Sequence, residues 1–558
     1  MRLKPKIITV FEEGYTSRLF FKDLTAGILV GIVSLPASIA FAIASGVRPE
    51  QGLYTAIVAG FTIALLGGSR VQVSGPTGAF VILIYSIIQQ YGYDGLVAAT
   101  FLAGILLVIM GIARLGLAIQ YIPYPVTIGF TSGLALVLAT SQLKDFFGFS
   151  ITKLPTDFIY RWKLYFQYID TVNFYALFIS ALSIAIILFW PRITKHIPGA
   201  LVAIVVSTFL VQGLHLPIET IGTRFGEIPN KLPIPQFPLL SVERIIQLLS
   251  PAIAIALLSG IESLLSAVVA DGMTGKKHRS DAELMAQGCG NIVSSLFLGI
   301  PATGAIARTA TNIKNGGQTP VASMIHAITL FFILLFFGKW VAFIPMATLA
   351  SILILVAYNM SEWRHFIHLM SSPKNDIAVL LTTFLLTVFV DLTTAIEVGI
   401  ILAVFLFINN LVKTSKAKFI RQEEEDKEDP MSISLREVPK DIEVFEISGP
   451  FFFAATEKFK EALTRINHVP KILILRLRNV PTIDASGIRV LEDMLAKAKR
   501  EGTLLFLSGV QPYLLQILKK AHYVEKLGEK HIFKDIDEAL KAAYPFSAFA
   551  IKMKSPVT

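Results

Sequence analysis

Glu262 is an ionisable residue inside an apolar stretch of this sequence, AIALLSGIESLLSAVVADGM. A charged group at the centre of a membrane helix costs roughly 2.5 to 3.5 kcal/mol, so its presence needs a reason. The small neighbours Ser259, Gly260, Ser263 and Ser266 permit close helix packing or a polar cavity. Because burial favours the neutral form of a carboxyl group, we interpret Glu262 as a group that binds and releases a proton in the physiological range. A structural, hydrogen-bonding glutamate is the alternative.

Arg308 is the second such residue, in ATGAIARTATNIKNGG. Its guanidinium carries a permanent charge and a planar fork of donors, which suits oxyanions such as sulfate or a carboxylate. The alternative is that Arg308 only neutralises Glu262. Both roles fit one scheme, in which the pair closes while the site is empty and protonation of Glu262 frees Arg308 for the anion. That scheme couples a proton to an anion without a metal ion.

Arg308 follows an irregular segment that has a counterpart earlier in the chain. In RVQVSGPTGAFVILIY, alternating valines give way to a Gly and Pro break over 74–78, and GIPATGAIARTATNIKNGG breaks in the same way over 301–304. Such interruptions at matching positions of two halves predict a binding site at the membrane midplane. Two half-helices then direct their N-terminal N–H groups at one ligand, and this arrangement favours an anion. Ordinary kinks or re-entrant loops are the alternative, since Gly and Pro are common in membrane helices.

The remaining ionisable candidates are weaker. Asp271 lies at the end of the Glu262 helix beside a basic cluster and is interpreted as a boundary charge. Asp391 and Glu397 stand six residues apart between the last two spans and are treated as structural or gating residues. His326, alone in an apolar run, is more often a hydrogen-bonded interior histidine than a ligand.

The composition shows which elements must position these residues. The chain has 558 residues, 54% of them hydrophobic and only 16% charged, with a mean hydropathy of +0.64; soluble domains carry about 25% charge. Apolar runs recur from Ala26 to Leu411 and predict roughly 14 spans of about 20 residues. Two sets of about seven spans would be inserted with opposite orientation, as in inverted-repeat transporters. The net charge of +10 lies in short clusters beside the apolar runs, so it indicates membrane topology rather than nucleic acid.

The chain therefore divides into four predicted parts. Residues 1–22 are a cytoplasmic N-terminal segment without the features of a signal peptide, and 23–415 are the transmembrane transport domain. A charged linker over 416–438 leads to an α/β domain over 439–550, in which strands alternate with helices, one of them over 455–466. With the single cysteine Cys289, the chain can form no internal disulfide and no metal site built on paired thiolates.

The motifs resemble those of the sulfate permease (SulP) family of anion transporters. The resemblance rests on DLTAGILVGIVSLPASIAFAIASGV, GLYTAIVAGFTIALLGGSRVQVSGPTGA, IESLLSAVVADGMTGKKHRSDAELMAQGCGNI and ATGAIARTATNIKNGG, and the C-terminal region resembles a STAS domain. It implies 14 membrane segments in a 7+7 inverted repeat with core and gate subdomains, usually a homodimer with an elevator-like motion. The site is then expected between the third and tenth segments, beside the first and eighth.

By position, the resemblance gives Glu262 the role of the eighth-segment acid linked to proton coupling and Arg308 that of the tenth-segment basic residue linked to anion binding. Many members have Gln after the first-segment proline, where this chain has Ala37 and then Ser38, and this departure puts the exact substrate in doubt. Cyanobacterial bicarbonate members use sodium and lack the basic residue, which argues against that mode here. The predicted substrate-binding residues are Ser38, Pro76, Thr77, Ala307, Arg308 and Thr309.

A possible regulatory position lies in the STAS-like region. Residues 483–487, IDASG, match the strand-to-helix turn at which related bacterial antagonists of anti-sigma factors are phosphorylated on serine, here Ser486. The alternative is stronger, because Asp484 or Ser486 at a helix start is an ordinary N-cap.

The sequence thus predicts a transporter, not an enzyme, in the cell membrane, with its N-terminus and STAS domain in the cytoplasm. The favoured function is proton-coupled symport of sulfate or a C4-dicarboxylate. A sodium-coupled bicarbonate carrier or an uncoupled exchanger is the alternative within transport, and a membrane-anchored signalling protein acting through its STAS domain is the alternative from another class. The expected partners are the anion, protons, the bilayer, a second copy of the chain and a cytoplasmic protein on the STAS domain, with no cofactor, metal or nucleic acid.

Overall fold

The computed structural model divides into two compact units, Met1–Ala403 and Val404–Thr558. The first unit holds most of the apolar segments, and the second contains the C-terminal sheet. The structure describes residues 3–116, 123–194, 197–414, 416–419, 433, 436, 438–454, 456, 459 and 469–546.

The first half of the apolar region contains seven segments. A π-helical turn over Thr55–Ala59 joins α3 to α4 as one segment, and α5 counts as two because Gly92, with φ 72°, interrupts it. The short helices α1 and α7 are not counted. The elements are α1 (Lys6–Glu12), α2 (Ser17–Ala44), α3 (Pro49–Tyr54), α4 (Gly60–Leu66), β1 (Ser74–Gly75), α5 (Phe80–Ile112), α6 (Tyr124–Phe147), α7 (Phe158–Gln167), α8 (Phe174–Phe189) and α9 (Gly199–Gly213).

The second half repeats this plan. Its seven segments are α11, α12, the β2–α13 pair, α14, α15, α17 and α18, while α10 and α16 are short connecting helices. The elements are α10 (Ile221–Phe225), α11 (Val242–Thr274), α12 (Ser280–Leu296), β2 (Thr303–Gly304), α13 (Ile306–Lys314), α14 (Pro320–Val341), α15 (Met346–Met360), α16 (Trp363–Leu369), α17 (Lys374–Phe389) and α18 (Leu392–Thr414).

The predicted 7+7 membrane architecture is therefore confirmed. Within the described residues, eight helices are long and apolar enough to cross a membrane. The other segments are shorter or interrupted, and the third and tenth segments begin as extended chain because their Gly and Pro residues break the helix. The two halves place their breaks in register, as the sequence pattern required.

The segments pack into two bundles. In one, α12 and α11 pack against α5, and α14 packs against α2 and α4; in the other, α15 and α17 pack against α6, and α8 packs against α9 and α15. The first bundle contains both extended breaks, so we call it the core bundle, and the second is called the gate bundle. Their buried residues are mainly Ala, Leu, Ile and Phe.

The second unit is a five-stranded sheet with helices. Its strand order is β3-β4-β5-β6-β7, parallel except for the antiparallel pair β3–β4. Val444 and Ile474 pack with α22, while Phe445 and Leu475 pack with α19. The elements are β3 (Lys416–Phe419), β4 (Ile442–Ser448), β5 (Ile472–Asn479), α19 (Ala485–Glu501), β6 (Leu504–Ser508), α20 (Pro512–Lys520), α21 (Tyr523–Leu527), β7 (Ile532–Phe533) and α22 (Ile536–Ala543).

The predicted linker needs two corrections. Lys416–Phe419 forms the edge strand β3, which pairs with β4, where a linker was predicted. Ile433, 1% exposed, belongs to the core of the second unit, and Arg436 forms an ion pair with Asp537, so the folded domain begins before 439. Most of the remaining linker, and most of the helix predicted over 455–466, lies outside the described residues.

Candidate functional site

The two extended breaks meet and pair. Ser74 lies opposite Gly304, and Gly75 opposite Thr303, as an antiparallel pair of two-residue strands. The Ala305 N–H donates to Val73 O at 2.9 Å and extends the ladder. The half-helices that follow, α13 and the first part of α5, therefore start from one point inside the core bundle.

Polar side chains of α11 and α12 hold β2 in place. The Ser263 hydroxyl accepts from Gly304 N–H at 3.0 Å, and the Thr303 hydroxyl donates to Ser259 O at 3.0 Å. Asn291 accepts from Ala302 N–H at 2.8 Å. The small residues around Glu262 in the sequence thus satisfy backbone groups that a broken helix leaves unpaired.

Glu283 performs the same task for the chain that leads into β1, and the sequence analysis missed it. This carboxylate is 1% exposed and accepts from the N–H groups of Gly68 and Ser69 at 2.9 and 3.0 Å. The side-chain amides of Gln72 and Gln287 donate to its other oxygen at 3.0 and 2.9 Å. An acid followed four residues later by Gln in the apolar run LMAQGCGNI was the available signal.

Glu262 reaches the first break. The Thr77 hydroxyl donates to Glu262 Oε2 at 3.0 Å, and both residues are half-buried. Beside Glu262 lies a cavity of about 30 Å³, lined on the gate bundle by Val126, Thr127, Phe130 and others. A single water needs about 10 to 15 Å³, so the carboxyl group borders space for water at the contact of the two bundles.

Arg308 reaches the same break from the other half. Its Nη2 donates to Pro76 O at 2.6 Å, while Nη1 is buried and has no partner among the described residues. A Cβ atom on Gly75 would lie 2.6 Å from Nη1, so a side chain at this position would displace the guanidinium from where it now lies. Buried polar groups are normally paired, and an unpaired donor here indicates a missing acceptor.

Glu262 and Arg308 thus meet consecutive residues, Thr77 and Pro76. In the described structure they form no ion pair with each other, so the empty-site pairing considered above is not observed. Each charged group instead keeps an unused capacity: a second carboxylate oxygen on Glu262 and the Nη1 donors on Arg308.

The other predicted binding residues lie in different surroundings. Ala307, in the first turn of α13, is exposed, and its N–H is one of the donors that a helix start leaves free. The Thr309 hydroxyl is occupied, since it accepts from Val73 N–H at 3.0 Å and contacts the Ser266 hydroxyl at 3.2 Å. Ser38 is fully buried with an unpartnered hydroxyl, and within the described residues no hydrogen bond links it to Thr77, Glu262 or Arg308.

The weaker candidates have local partners. His326 Nε2 lies 2.7 Å from the Ser34 hydroxyl, and Asp271 is bound to His278 at 2.7 Å. Asp391 accepts from the N–H and hydroxyl of Thr394 at the start of α18, and Glu397 is exposed. The part of the chain that the structure describes holds no group of three or more His, Cys, Asp or Glu side chains that could bind a metal ion.

Ser486 lies in the first turn of α19 and is half-buried. The cap of this helix is Asp484, whose carboxylate accepts from Gly487 N–H at 2.8 Å and from Phe453 N–H at 3.0 Å. Asp484 thus fulfils the N-cap role, and the Ser486 hydroxyl is left without a capping task.

Comparisons with known proteins agree with this architecture. Residues 20–383 match the sulfate permease family, and residues 434–539 match the STAS domain. The "Putative sulfate transporter YvdB" of Bacillus subtilis (strain 168) is 40% identical over 531 residues, which cover 94% of this chain and 98% of the relative. The bicarbonate transporter BicA of Synechocystis is 29% identical over 548 residues, 95% of this chain and 96% of the relative.

Solved structures show the same fold. SLC26A9 superposes with a TM-score of 0.86 over 98% of this chain and 94% of its own, at 20% identity; at that identity the likeness concerns the fold alone. The transmembrane domain of a cyanobacterial BicA matches with a TM-score of 0.61, at 30% identity, over 70% of this chain and 98% of its own. From the family match across most of the apolar region, the chain belongs to the sulfate permease family of membrane anion transporters and carries a C-terminal STAS domain.

Proposed function

We propose that this protein is a secondary active transporter that carries sulfate or a C4-dicarboxylate together with protons across the cell membrane. The observation that carries the proposal is Arg308 beside the paired breaks, whose buried Nη1 has no acceptor among the residues that the structure describes. An anion between Thr77 and Ala307 would accept hydrogen bonds from Nη1 of Arg308 and from the free N–H groups at the start of α13. Sulfate and carboxylates offer the oxygen geometry that a guanidinium fork binds.

Glu262 is the proposed proton carrier. Its one hydrogen bond comes from a hydroxyl, which can donate to a carboxylate or accept from a carboxylic acid. Because no cation pairs with Glu262 among the described residues, it can take up or release a proton without breaking an ion pair. A proton on Glu262 would also remove a negative charge next to the arriving anion.

The proposed motion is elevator-like. The groups that would hold the anion belong to the core bundle. The cavity at Glu262 is lined on the opposite side by residues of α6 and by Ile396. A core bundle sliding along the gate bundle would carry the anion between the two sides of the membrane.

We further propose a homodimer, with the N-terminus and the STAS domain in the cytoplasm. There a protein partner or phosphorylation of Ser486 would act on the transporter.

Transport by purified protein in liposomes tests this function. Labelled sulfate, fumarate and bicarbonate are offered separately, each with an imposed pH gradient, with a sodium gradient and with neither. Accumulation of sulfate or fumarate driven by the pH gradient is expected. Accumulation that follows sodium alone, or bicarbonate as the one accumulated anion, would refute proton-coupled symport.

A sodium-coupled bicarbonate carrier is the second candidate, because BicA is 29% identical over nearly the whole chain. Arg308 disfavours this second candidate, because the fixed positive charge of its guanidinium already lies beside the breaks, where a sodium ion would otherwise supply one. The same liposome experiment separates the two candidates.

A further inference from the structure

A second, larger cavity lies between the core and gate bundles, away from Glu262. Its volume is about 440 Å³, which admits a small solute together with water, since one water needs about 10 to 15 Å³. Apolar residues of α5, α6 and α17 form much of its wall. Its polar lining consists of Tyr85, Ser86, Gln90, Thr156, Arg161 and Asp391 among others.

This cavity is on the membrane side opposite to α1. The Lys6 N–H donates to Gly67 O, so the chain entering β1 starts on the side of α1. From β1 the first part of α5 runs onward to Gly92, and its lining residues lie between Ile82 and Tyr91, beyond β1 on the way to that break. We therefore call it the outer cavity; with a cytoplasmic N-terminus it faces the cell exterior.

Arg161 of α7 is the fixed cation of this cavity. It is 3% exposed, and the carbonyl oxygens of Pro155, Thr156 and Val137 accept from it at 3.1 to 3.3 Å. These bonds use four of the five N–H donors of a guanidinium. The fifth, on Nη1, has no acceptor within the described residues.

Within the described residues no carboxylate forms an ion pair with this guanidinium, although Asp157 attracts it and Asp391 lines the same cavity. Asp157 accepts from Tyr160 N–H at 2.7 Å as the N-cap of α7, and Asp391 is bound to Thr394 at the start of α18. A buried cation that forms no ion pair is costly, and a bound anion is one way to offset that cost. The carbonyl bonds hold the guanidinium in position before any ligand arrives.

The outer cavity and the proposed central site share two helices. The lining residues of α5 follow Thr77, which lies just before that helix begins. On α11, Pro251 of the outer cavity precedes Glu262 by eleven residues, which corresponds to roughly 16 Å along a helix. Leu83 and Ile87 of the outer cavity belong to the same buried apolar cluster as Phe130 and Leu258 of the cavity at Glu262. The outer cavity is therefore distinct from the cavity at Glu262: within the described residues the two share no lining residue, and the apolar cluster contributes to the wall of each.

We propose that the outer cavity is a second anion-binding site, in which Arg161 holds a small oxyanion of the transported class before it enters, or after it leaves, the central site. This inference rests on the proposed transport function and on the proposed cytoplasmic N-terminus. Binding at Arg161 would raise the local concentration of the anion between the two bundles.

The first test adds a negative charge to the cavity without altering Arg161. Gln90→Glu places a carboxylate on the cavity wall, and the matched control Gln89→Glu places it on the neighbouring exposed residue, which does not line the cavity. Uptake of labelled sulfate and of fumarate by intact cells gives the external half-saturation concentration. We expect about a tenfold increase for Gln90→Glu with the better substrate and little change for Gln89→Glu. Equal values in the two variants would overturn the outer site.

The second test counts bound sulfate on the purified full-length protein. Arg161→Gln should remove the weaker of two sites, whereas Lys163→Gln, which removes an exposed charge from the same helix, should remove none. Arg308→Ala should leave the site that Arg161→Gln removes. One site in the unaltered protein, abolished by Arg308→Ala and unaffected by Arg161→Gln, would overturn the outer site and leave the proposed function intact. Two sites that persist in Arg308→Ala would instead contradict the central site.

Discussion

Replacement of Arg308 tests the central site most directly. Nη2 of the guanidinium donates a hydrogen bond to Pro76 O at 2.6 Å, and Nη1 has no partner among the described residues. The anion is expected to accept a charge-assisted hydrogen bond from Nη1, and such a bond contributes about 1.5 to 3 kcal/mol to the free energy of binding. At 1.4 kcal/mol per tenfold change, Arg308→Gln should weaken anion binding by roughly 10- to 150-fold. Arg308→Lys keeps the charge but loses the planar fork, so its loss should be smaller.

The assay is equilibrium binding of labelled sulfate and fumarate to purified protein, with thermal unfolding of each variant measured in the same detergent. Loss of the hydrogen bond to Pro76 O would lower the unfolding temperature of the variant, whereas loss of a ligand contact alone would leave it unchanged. If Arg308→Gln unfolds at the temperature of the unaltered protein and still binds both anions with unchanged affinity, the guanidinium does not contact the ligand. The reasoning from the unpaired Nη1 is then wrong.

Further predictions concern coupling and the second unit. Glu262→Gln should retain downhill exchange but lose pH-driven accumulation, since an amide cannot release a proton; accumulation that persists in flux measurements contradicts the coupling role. Deletion of 416–558 should leave anion affinity unchanged while altering surface abundance or transport rate, and lost binding by a folded truncation refutes that division. In chemical denaturation, fragment 433–546 should exceed 439–546 in stability by about 1.5 to 3 kcal/mol from buried Ile433; equal stabilities would contradict this.

One prediction concerns pH. The hydrogen bond from Arg436 lowers the pKa of Asp537. The pair therefore stabilises fragment 433–546 at pH values above the ordinary carboxyl pKa of about 4. The contribution is lost as the pH falls through the lower pKa of the folded state. Denaturation of fragment 433–546 and its Asp537→Asn variant at pH 7 and at pH 2.5 should show a difference that shrinks in acid. A difference that is independent of pH would contradict the assignment.

The sequence by itself determined the architecture. Long apolar runs admit few alternatives to membrane helices because every backbone group in lipid must be paired internally. The matched Gly and Pro breaks over 74–78 and 301–304 fixed where the two halves would meet. Glu262 and Arg308 were detectable for the same reason: a charge in an apolar run is costly, so its type and place carry information.

Only the tertiary structure decided how these groups are arranged. The sequence suggested a pair between Glu262 and Arg308, but the antiparallel pairing of β1 with β2 turns them toward Thr77 and Pro76 instead. Thr309 was predicted to bind the substrate, and the structure adds that its hydroxyl accepts a hydrogen bond from Val73 N–H. Such roles depend on distances between residues about 200 positions apart, and local spacing does not contain them.

The same reason explains what the sequence missed. Glu283 and Arg161 are polar residues near the ends of helices, where charged side chains usually reach solvent, and periodicity gives no sign that they are buried. Tertiary packing buries them and supplies their partners, backbone N–H groups for Glu283 and carbonyl oxygens for Arg161. The sequence determined which segments cross the membrane and where they break, because hydrophobicity and backbone geometry are local properties. The pairing of polar groups was decided by the fold, because it joins residues that only packing brings together.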